Sequence, residues 1–125
     1  MVEKHPIYPA RIRKVPRQFS WVDQRLVREH LIDRCSHRSA ALYLFLVTVA
    51  DAQGLSYYGD RFLCRRLAMD EKSLEKARKE LVRIDLVAWQ RPLYQVLAID
   101  GTTKPRSSGN LQCLAQVLEQ IGGAP

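Results

Sequence analysis

Residues 70–84 constrain the fold of this chain more than any other segment, because they combine a helix start signal with a strict apolar period. Asp70 is a favourable N-cap residue, since its carboxylate can accept a hydrogen bond from a free backbone N–H of the first turn. Apolar residues follow at i, i+3, i+7 and i+10: Leu74, Ala77, Leu81 and Ile84. This spacing predicts a helix from Glu71 to Ile84 that packs one apolar stripe on a core.

The face of this helix opposite the apolar stripe is basic. Four cations lie about 180° from the stripe and form what we call the basic strip: Lys72, Lys76, Lys79 and Arg83. Glu75 and Glu80 lie on either side of it. A solvated helix with Lys/Glu pairs at i,i+4 explains part of this pattern, but an isolated helix avoids like charges in contact range. The strip therefore favours contact with phosphates or DNA.

Turn and period signals predict the remaining elements. A capping box at Ser20 and Asp23 predicts a helix from Trp21 to Arg34, with Phe19 and Trp21 as a hydrophobic staple. Ser39 is the expected N-cap of an almost wholly apolar core helix over 40–51, which Gly54 follows as a left-handed cap. The other expected elements are a strand at 55–58, a helix over 61–68 after a Gly59-Asp60 N-cap, a hairpin of 86–89 and 93–99, and an amphipathic helix from Leu111 to Ile121.

These elements divide the chain into four parts. Residues 1–19 are a basic, proline-containing extended arm, and residues 20–100 are one domain with a leading helix. Residues 101–110 are a Gly/Ser/Pro/Thr linker, and residues 111–125 carry the C-terminal amphipathic helix. The predicted fold is mainly α with a small β-hairpin, because three helices lead into two short strands.

Five segments give the chain a resemblance to a known family: 41–46 (ALYLFL), 50–56 (ADAQGLS), 63–70 (LCRRLAMD), 74–81 (LEKARKEL) and 85–87 (DLV). With them, residues 39–99 resemble the winged helix-turn-helix domains of plasmid, phage and primosomal replication proteins and of mobile-element regulators. The resemblance implies a three-helix core plus a wing, here with an extra N-terminal and a C-terminal helix. The family usually has Gly where this chain has Asp85, so Asp85 should adopt a left-handed conformation. Pro92 limits pairing in the short wing.

The resemblance also implies roles for charged residues on double-stranded DNA. The helix over 71–84 would lie in the major groove, with Lys72 and Ser73 placed to touch bases and the rest of the strip placed to touch phosphates. Phosphate contacts are also expected from the preceding helix and from the hairpin tip, through Arg61, Arg65, Arg66 and Arg91. The arm either follows the minor groove or acts as a solubilising tail, and its cations are Arg11, Arg13, Lys14 and Arg17.

The charge distribution agrees with a polyanionic partner. The chain has 20 Lys and Arg against 13 Asp and Glu, a net charge of +7 at pH 7. The surplus is concentrated in residues 1–20, with five cations and one acid, and in residues 60–91, with nine cations and six acids. An acidic membrane surface or nucleic acid would both attract such a surplus.

Other classes of protein find little support in the sequence. Cys35, Cys64 and Cys113 are odd in number and far apart, so neither a disulfide framework nor a zinc site is expected. No signal core or membrane span is evident, which predicts a cytoplasmic protein. The three histidines have no catalytic partner at a motif spacing, so we expect no enzyme, no cofactor, no metal and no small-molecule ligand.

Two alternatives to DNA binding remain open at this point. One is a protein-interaction module that forms a homodimer through the helix over 111–121 or the helix over 21–34. The other is RNA binding, for which the positive charge is almost the only support in the sequence. No clustered exposed aromatic residues are evident for stacking on unpaired bases.

Overall fold

The computed structural model describes residues 3–99, which are mainly helical with one small antiparallel sheet. In chain order the elements are a 3-10 turn at Pro9–Arg11, α1 at Arg25–Arg28, a 3-10 turn at Ile32–Arg34, α2 at His37–Val49, β1 at Leu55–Tyr57, α3 at Asp60–Leu67, α4 at Glu71–Arg83, β2 at Val87–Gln90 and β3 at Leu93–Val96. This confirms the predicted fold class at that level. The predicted linker over 101–110 and helix over 111–121 lie outside the described residues.

The predicted helix over 21–34 is wrong. The segment contains only the four residues of α1 and the later 3-10 turn. Between them His30 has a φ of 62°, a left-handed conformation that an α-helix does not continue through. Ser20 does not cap the segment either, because its hydroxyl donates to the Thr48 carbonyl at 2.7 Å. Asp23 instead accepts hydrogen bonds from the backbone and side chain of Arg25.

Weak burial explains why this leading segment fails to form a long helix. Leu26 is the one large apolar residue of α1 that is buried, while Val22 and Val27 are exposed. The expected staple is also wrong, since Phe19 is exposed and the Trp21 side chain is 73% exposed. A single helix of this length is marginal in water unless tertiary packing covers its apolar face.

The core helix α2 begins three residues earlier than the sequence indicates. Its N-cap is Ser36, whose hydroxyl accepts a hydrogen bond from the backbone N–H of Ser39 at 3.1 Å. Ser39 is therefore inside the helix, and the predicted cap there is wrong. The helix ends at Val49, and Gly54 takes its left-handed conformation (φ 84°) in the turn before β1 rather than at the helix end. A Cβ at Gly54 would lie 2.6 Å from the Val96 carbonyl oxygen, so this turn requires glycine.

Helices α3 and α4 agree closely with the prediction. Of the expected Gly59-Asp60 cap, Gly59 is the N-cap of α3 and Asp60 is its first helical residue. Ala68 ends α3 in a left-handed conformation, and Asp70 caps α4 two residues later. Asp85 has a φ of 65°, as expected of the residue that closes α4. The backbone N–H of Leu86 then bonds to the Leu81 carbonyl at 3.0 Å, which satisfies an otherwise free helix-end group.

The sheet has three strands in the order β1-β3-β2, all antiparallel. The predicted hairpin is formed by β2 and β3, although β3 ends at Val96 rather than at Ile99, and Tyr58 lies just outside β1. Tyr94 is opposite Ser56 on one side and Trp89 on the other. This central position makes Tyr94 fully buried and joins the sheet to the helices.

One hydrophobic core links α2, α4 and the sheet. The apolar stripe of α4 is buried as predicted, and it packs with Leu42 and Leu46 of α2. Leu63 of α3 and Leu86 and Val87 at the start of β2 complete the centre. The core therefore holds α4 in one orientation, with its opposite face turned to solvent.

Candidate nucleic-acid interface

The basic strip of α4 faces solvent along its whole length. Lys72, Lys76, Lys79 and Arg83 are all exposed, and the stripe behind them is buried. Ser73, the other residue expected at the helix start, is half-buried and serves the cap. Its backbone N–H donates to Asp70 at 2.7 Å, and this hydrogen bond is the main cause of a lowered Asp70 pKa. A rigidly capped helix start therefore positions Lys72.

The four cations of the strip differ in their neighbours. Lys79 Nζ lies 3.4 Å from Glu75 Oε2, and an Arg83 guanidinium nitrogen lies 3.7 Å from Glu80 Oε2. Within the described part of the chain, Lys72 and Lys76 have no carboxylate at ion-pair distance. An anion that binds the strip meets its least neutralised charge at these two residues, near the N-terminus of α4, where the helix dipole is also positive.

Glu80 borders the strip, but its carboxylate connects α4 to the N-terminus of α2. Its Oε1 atom accepts hydrogen bonds from the Ser36 backbone N–H at 2.8 Å and from the Ser39 hydroxyl at 2.6 Å. These bonds favour the carboxylate, and they lower the Glu80 pKa from its ordinary 4.5 to about 2, the Ser39 bond contributing most. α4 thus fixes the N-terminus of α2 through one side chain, a contact that the sequence pattern did not reveal.

We expect Glu80→Gln to destabilise the fold by about 1–2 kcal/mol at neutral pH, because the amide accepts the same bonds without the charge. The side chain is 23% exposed, so water moderates the loss. The folded pKa is below the ordinary value, so the ionised group stabilises the fold above about pH 4.5, and this is lost as the pH falls towards 2. Urea unfolding of the unmodified protein and of Glu80→Gln between these pH values tests the effect. A difference in unfolding free energy that does not change with pH would contradict it.

Arg78 is a buried cation that was not singled out from the sequence. Its side chain is 5% exposed and donates to Asp60 Oδ1 and to the Tyr94 hydroxyl, both at 3.0 Å. The guanidinium carbon also lies 3.8 Å from the centre of the Trp89 ring. Arg78 follows Leu74 by four residues, a spacing that does place it beside the buried stripe. It therefore joins α3, α4 and the sheet, and does not belong to the exposed strip.

Arg91 and Trp89 line a cleft between α4 and the hairpin. The cleft has a volume of about 540 Å³ and also contains Lys79, Arg83 and Glu75. Arg91 is exposed at the hairpin turn, with its guanidinium 5.3 Å from the centre of the Trp89 ring. Trp89 packs within the hairpin, its ring centre 6.2 Å from that of Tyr94. Arg91 is free to turn towards an anion on the same side as the end of the strip.

The outer face of α3 combines arginines with an aromatic cluster. Arg61, Arg65 and Arg66 are exposed, as phosphate contacts would require. Phe62 is 38% exposed and its ring centre lies 5.3 Å from that of Tyr58, which in turn packs edge-on against Phe45 at 5.1 Å. Phe62 is the exposed member of this cluster, while Phe45 and Tyr58 are half-buried and pack against the core. Phe45 is distant in sequence from Tyr58 and Phe62, so no local pattern predicts that the three rings meet.

The N-terminal arm exposes both its cations and its apolar residues. Arg11, Arg13, Lys14 and Arg17 are all exposed, in the segment that contains the Pro9–Arg11 turn. Ile7, Tyr8, Ile12 and Val15 are exposed to more than half of their surface in the same segment. A tail that serves only solubility does not need this apolar content. The arm ends near α2 through the Ser20–Thr48 hydrogen bond.

Other kinds of site are not seen in residues 3–99. Cys35 and Cys64 are half-buried, and burial raises the pKa of both thiols. The described His, Cys, Asp and Glu side chains form no group of three or more that could hold a metal ion. None of the helices in this part of the chain has the length and hydropathy needed to cross a bilayer.

Comparison with known proteins does not assign the chain to a family. No protein-family model matches it, and neither the curated proteins nor the solved structures contain a significant match.

Proposed function

We propose that this chain is a winged helix-turn-helix protein that binds double-stranded DNA through the basic strip of α4. In this role it acts as a small transcriptional regulator or as an accessory factor in replication or mobile-element biology. The proposal joins the sequence resemblance to two structural features, the order of the elements and the exposure of the strip.

The order of elements supports the fold part of the proposal. Helix α2, strand β1, helices α3 and α4 and the hairpin β2–β3 follow one another as a three-helix core and wing would require. A three-residue turn, from Ala68 to Asp70, joins α3 to α4, and Asp85 turns the chain from α4 into the hairpin. In such a layout α4 is the helix available to the major groove, and α3 crosses the backbone.

The main support for DNA binding is the position of the strip on α4. Four cations lie on the side of α4 opposite the buried stripe, and Lys72 and Lys76 have no close carboxylate among the described residues. A face of this kind presents cations to the phosphates, with the helix start placed nearest to the base edges. Arg61, Arg65, Arg66 and Arg91 add cations on the neighbouring elements.

Salt titration of duplex binding tests the proposal. If each strip cation neutralises one phosphate, log K should fall with log salt with a slope of about −3.6 or steeper between about 50 and 200 mM salt. Fluorescence anisotropy of the full chain with a labelled duplex measures this slope. Selection from a random duplex pool at both salt concentrations then separates a sequence-specific regulator from an accessory protein without a consensus.

Absence of duplex binding at low salt would refute the proposal and favour the second candidate, a protein-interaction module. The exposed apolar residues of the arm and of the leading segment favour that candidate, above all Ile7 and Val15 of the arm and Trp21 and Val27 of the leading segment. In that role they would contact a partner or a second copy of the chain, as was expected of the segment 21–34.

A further inference from the structure

The outer face of α3 contains a small cleft with one aromatic wall and two cationic walls. Phe62, Arg65 and Arg66 line it, and its volume is about 210 Å³. The Arg66 guanidinium lies 5.0 Å from the centre of the Phe62 ring. We call this feature the Phe62 cleft.

The Phe62 ring is held rigidly from behind. Tyr58 stacks on it with an angle of 30° between the ring planes, and Phe45 packs edge-on against Tyr58 with an angle of 81°. Two aromatic side chains, Phe45 of α2 and Tyr58 after β1, thus pack behind one partly exposed ring. A fixed ring loses little conformational entropy when a flat ligand stacks on it.

The chemistry of the walls distinguishes between possible ligands. Phe62 is the single apolar wall, so an aliphatic anchor from a protein would find no enclosing socket. A nucleobase needs one aromatic face for stacking, and the phosphates on either side of it need cations. Arg66 is exposed, so its contact with Phe62 is weak, and it can turn aside to meet a phosphate. Arg61 adds a third exposed cation to the same helix.

We propose that the Phe62 cleft binds an unpaired nucleobase of single-stranded DNA that extends from the duplex, with Arg65 and Arg66 on its phosphates. The inference rests on the proposed duplex binding by α4 and adds a preference for junctions between paired and unpaired DNA. Helix α3 leads into α4 through a short turn, so both contacts belong to one continuous part of the chain.

Three DNA probes that share one duplex of about 20 base pairs test the inference. The first is blunt, the second carries a thymidine overhang of about six nucleotides, and the third carries an abasic overhang of the same length. The abasic overhang has the same phosphates without bases. We expect the full chain to bind the thymidine overhang about tenfold more tightly than the abasic one.

Variants of Phe62 then locate the contact. Phe62→Leu should abolish the preference for bases while the affinity for the blunt duplex stays unchanged, and Phe62→Trp should retain the preference. Equal binding of thymidine and abasic overhangs by the unmodified chain would overturn the inference, and this comparison needs no variant. Blunt-duplex binding in that case would leave the proposed function intact.

A protein segment is the competing class of ligand for the cleft, and it predicts a different result. If base preference is absent and a synthetic peptide of Glu and Phe residues binds in a manner that depends on Phe62, the cleft is a protein-docking site and the inference is wrong. Base preference that persists in Phe62→Leu would also overturn it, because the bases would then contact another part of the chain.

Discussion

Replacement of Lys72 and Lys76 by Glu is expected to weaken duplex binding by about a hundredfold or more at low salt. Each change removes one attraction and adds one repulsion, at the two strip cations that have no close carboxylate among the described residues. The salt slope of the remaining binding should be shallower by about 0.9 if only Lys76 neutralises a phosphate, and by about 1.8 if Lys72 does so as well. Anisotropy titration of the double variant at several salt concentrations measures both effects.

The fold should tolerate this double change. Both side chains are exposed, and an acidic residue at position 72, in the first turn of α4, interacts favourably with the helix dipole. The matched control is the double variant Arg28→Glu and Arg34→Glu, which alters the net charge equally at exposed positions of the leading segment. Equal losses in the two variants would mean that general electrostatic attraction, and not the strip, drives binding. Reversal of all four strip residues should abolish binding entirely.

Arg78→Met is expected to destabilise the fold by about 3 kcal/mol, the largest stability effect that we predict for a single polar residue. The change leaves Asp60 and the Tyr94 hydroxyl without their shared donor and removes the cation from the Trp89 ring. Tyr94 is fully buried, so its hydroxyl cannot recover a water partner, whereas Asp60 is 32% exposed and is partly rehydrated. For a domain of this size, we expect Tm to fall by more than about 10 °C.

Two further variants separate the buried ion pair from simple loss of packing. Lys79→Met, one residue further along α4, removes an exposed cation and should change stability by less than about 0.5 kcal/mol. Asp60→Asn combined with Arg78→Met should be less destabilised than Arg78→Met alone, because no carboxylate is then left without a partner. Stability of Arg78→Met within experimental error of the unmodified protein would show that the pair is dispensable.

Helix α4 shows how much of the fold could be predicted from sequence. Its N-cap and its buried stripe were expected because each depends on residues within a few positions of one another, and the left-handed Asp85 was expected from the family resemblance. The exposure of the basic strip follows from the same period. The strand β1 was also expected, but its pairing with β3 was not, since the two strands are separated by α3, α4 and β2.

The leading segment shows where local signals mislead. The pattern at 20–34 has a capping box and an apolar period, yet Ser20 bonds to Thr48 and His30 interrupts the chain in a left-handed conformation. The period predicts a helix only if something covers the apolar face, and residues 3–99 bury little of it beyond Leu26. Distant contacts also explain why the N-cap of α2 is Ser36 and not the predicted Ser39. Glu80 of α4 accepts hydrogen bonds from the Ser36 backbone N–H and from the Ser39 hydroxyl.

The sequence alone determined which residues form α3, α4 and the hairpin, and which face of α4 is basic, because those features follow from helical and strand periods and from caps a few residues away. Only the tertiary structure decided that Arg78 is buried against Tyr94 and Trp89, that Glu80 caps another helix, and that Phe45, Tyr58 and Phe62 meet on one face. Those contacts join residues that are far apart in the chain, and local periodicity contains no information about which distant side chains will pack together.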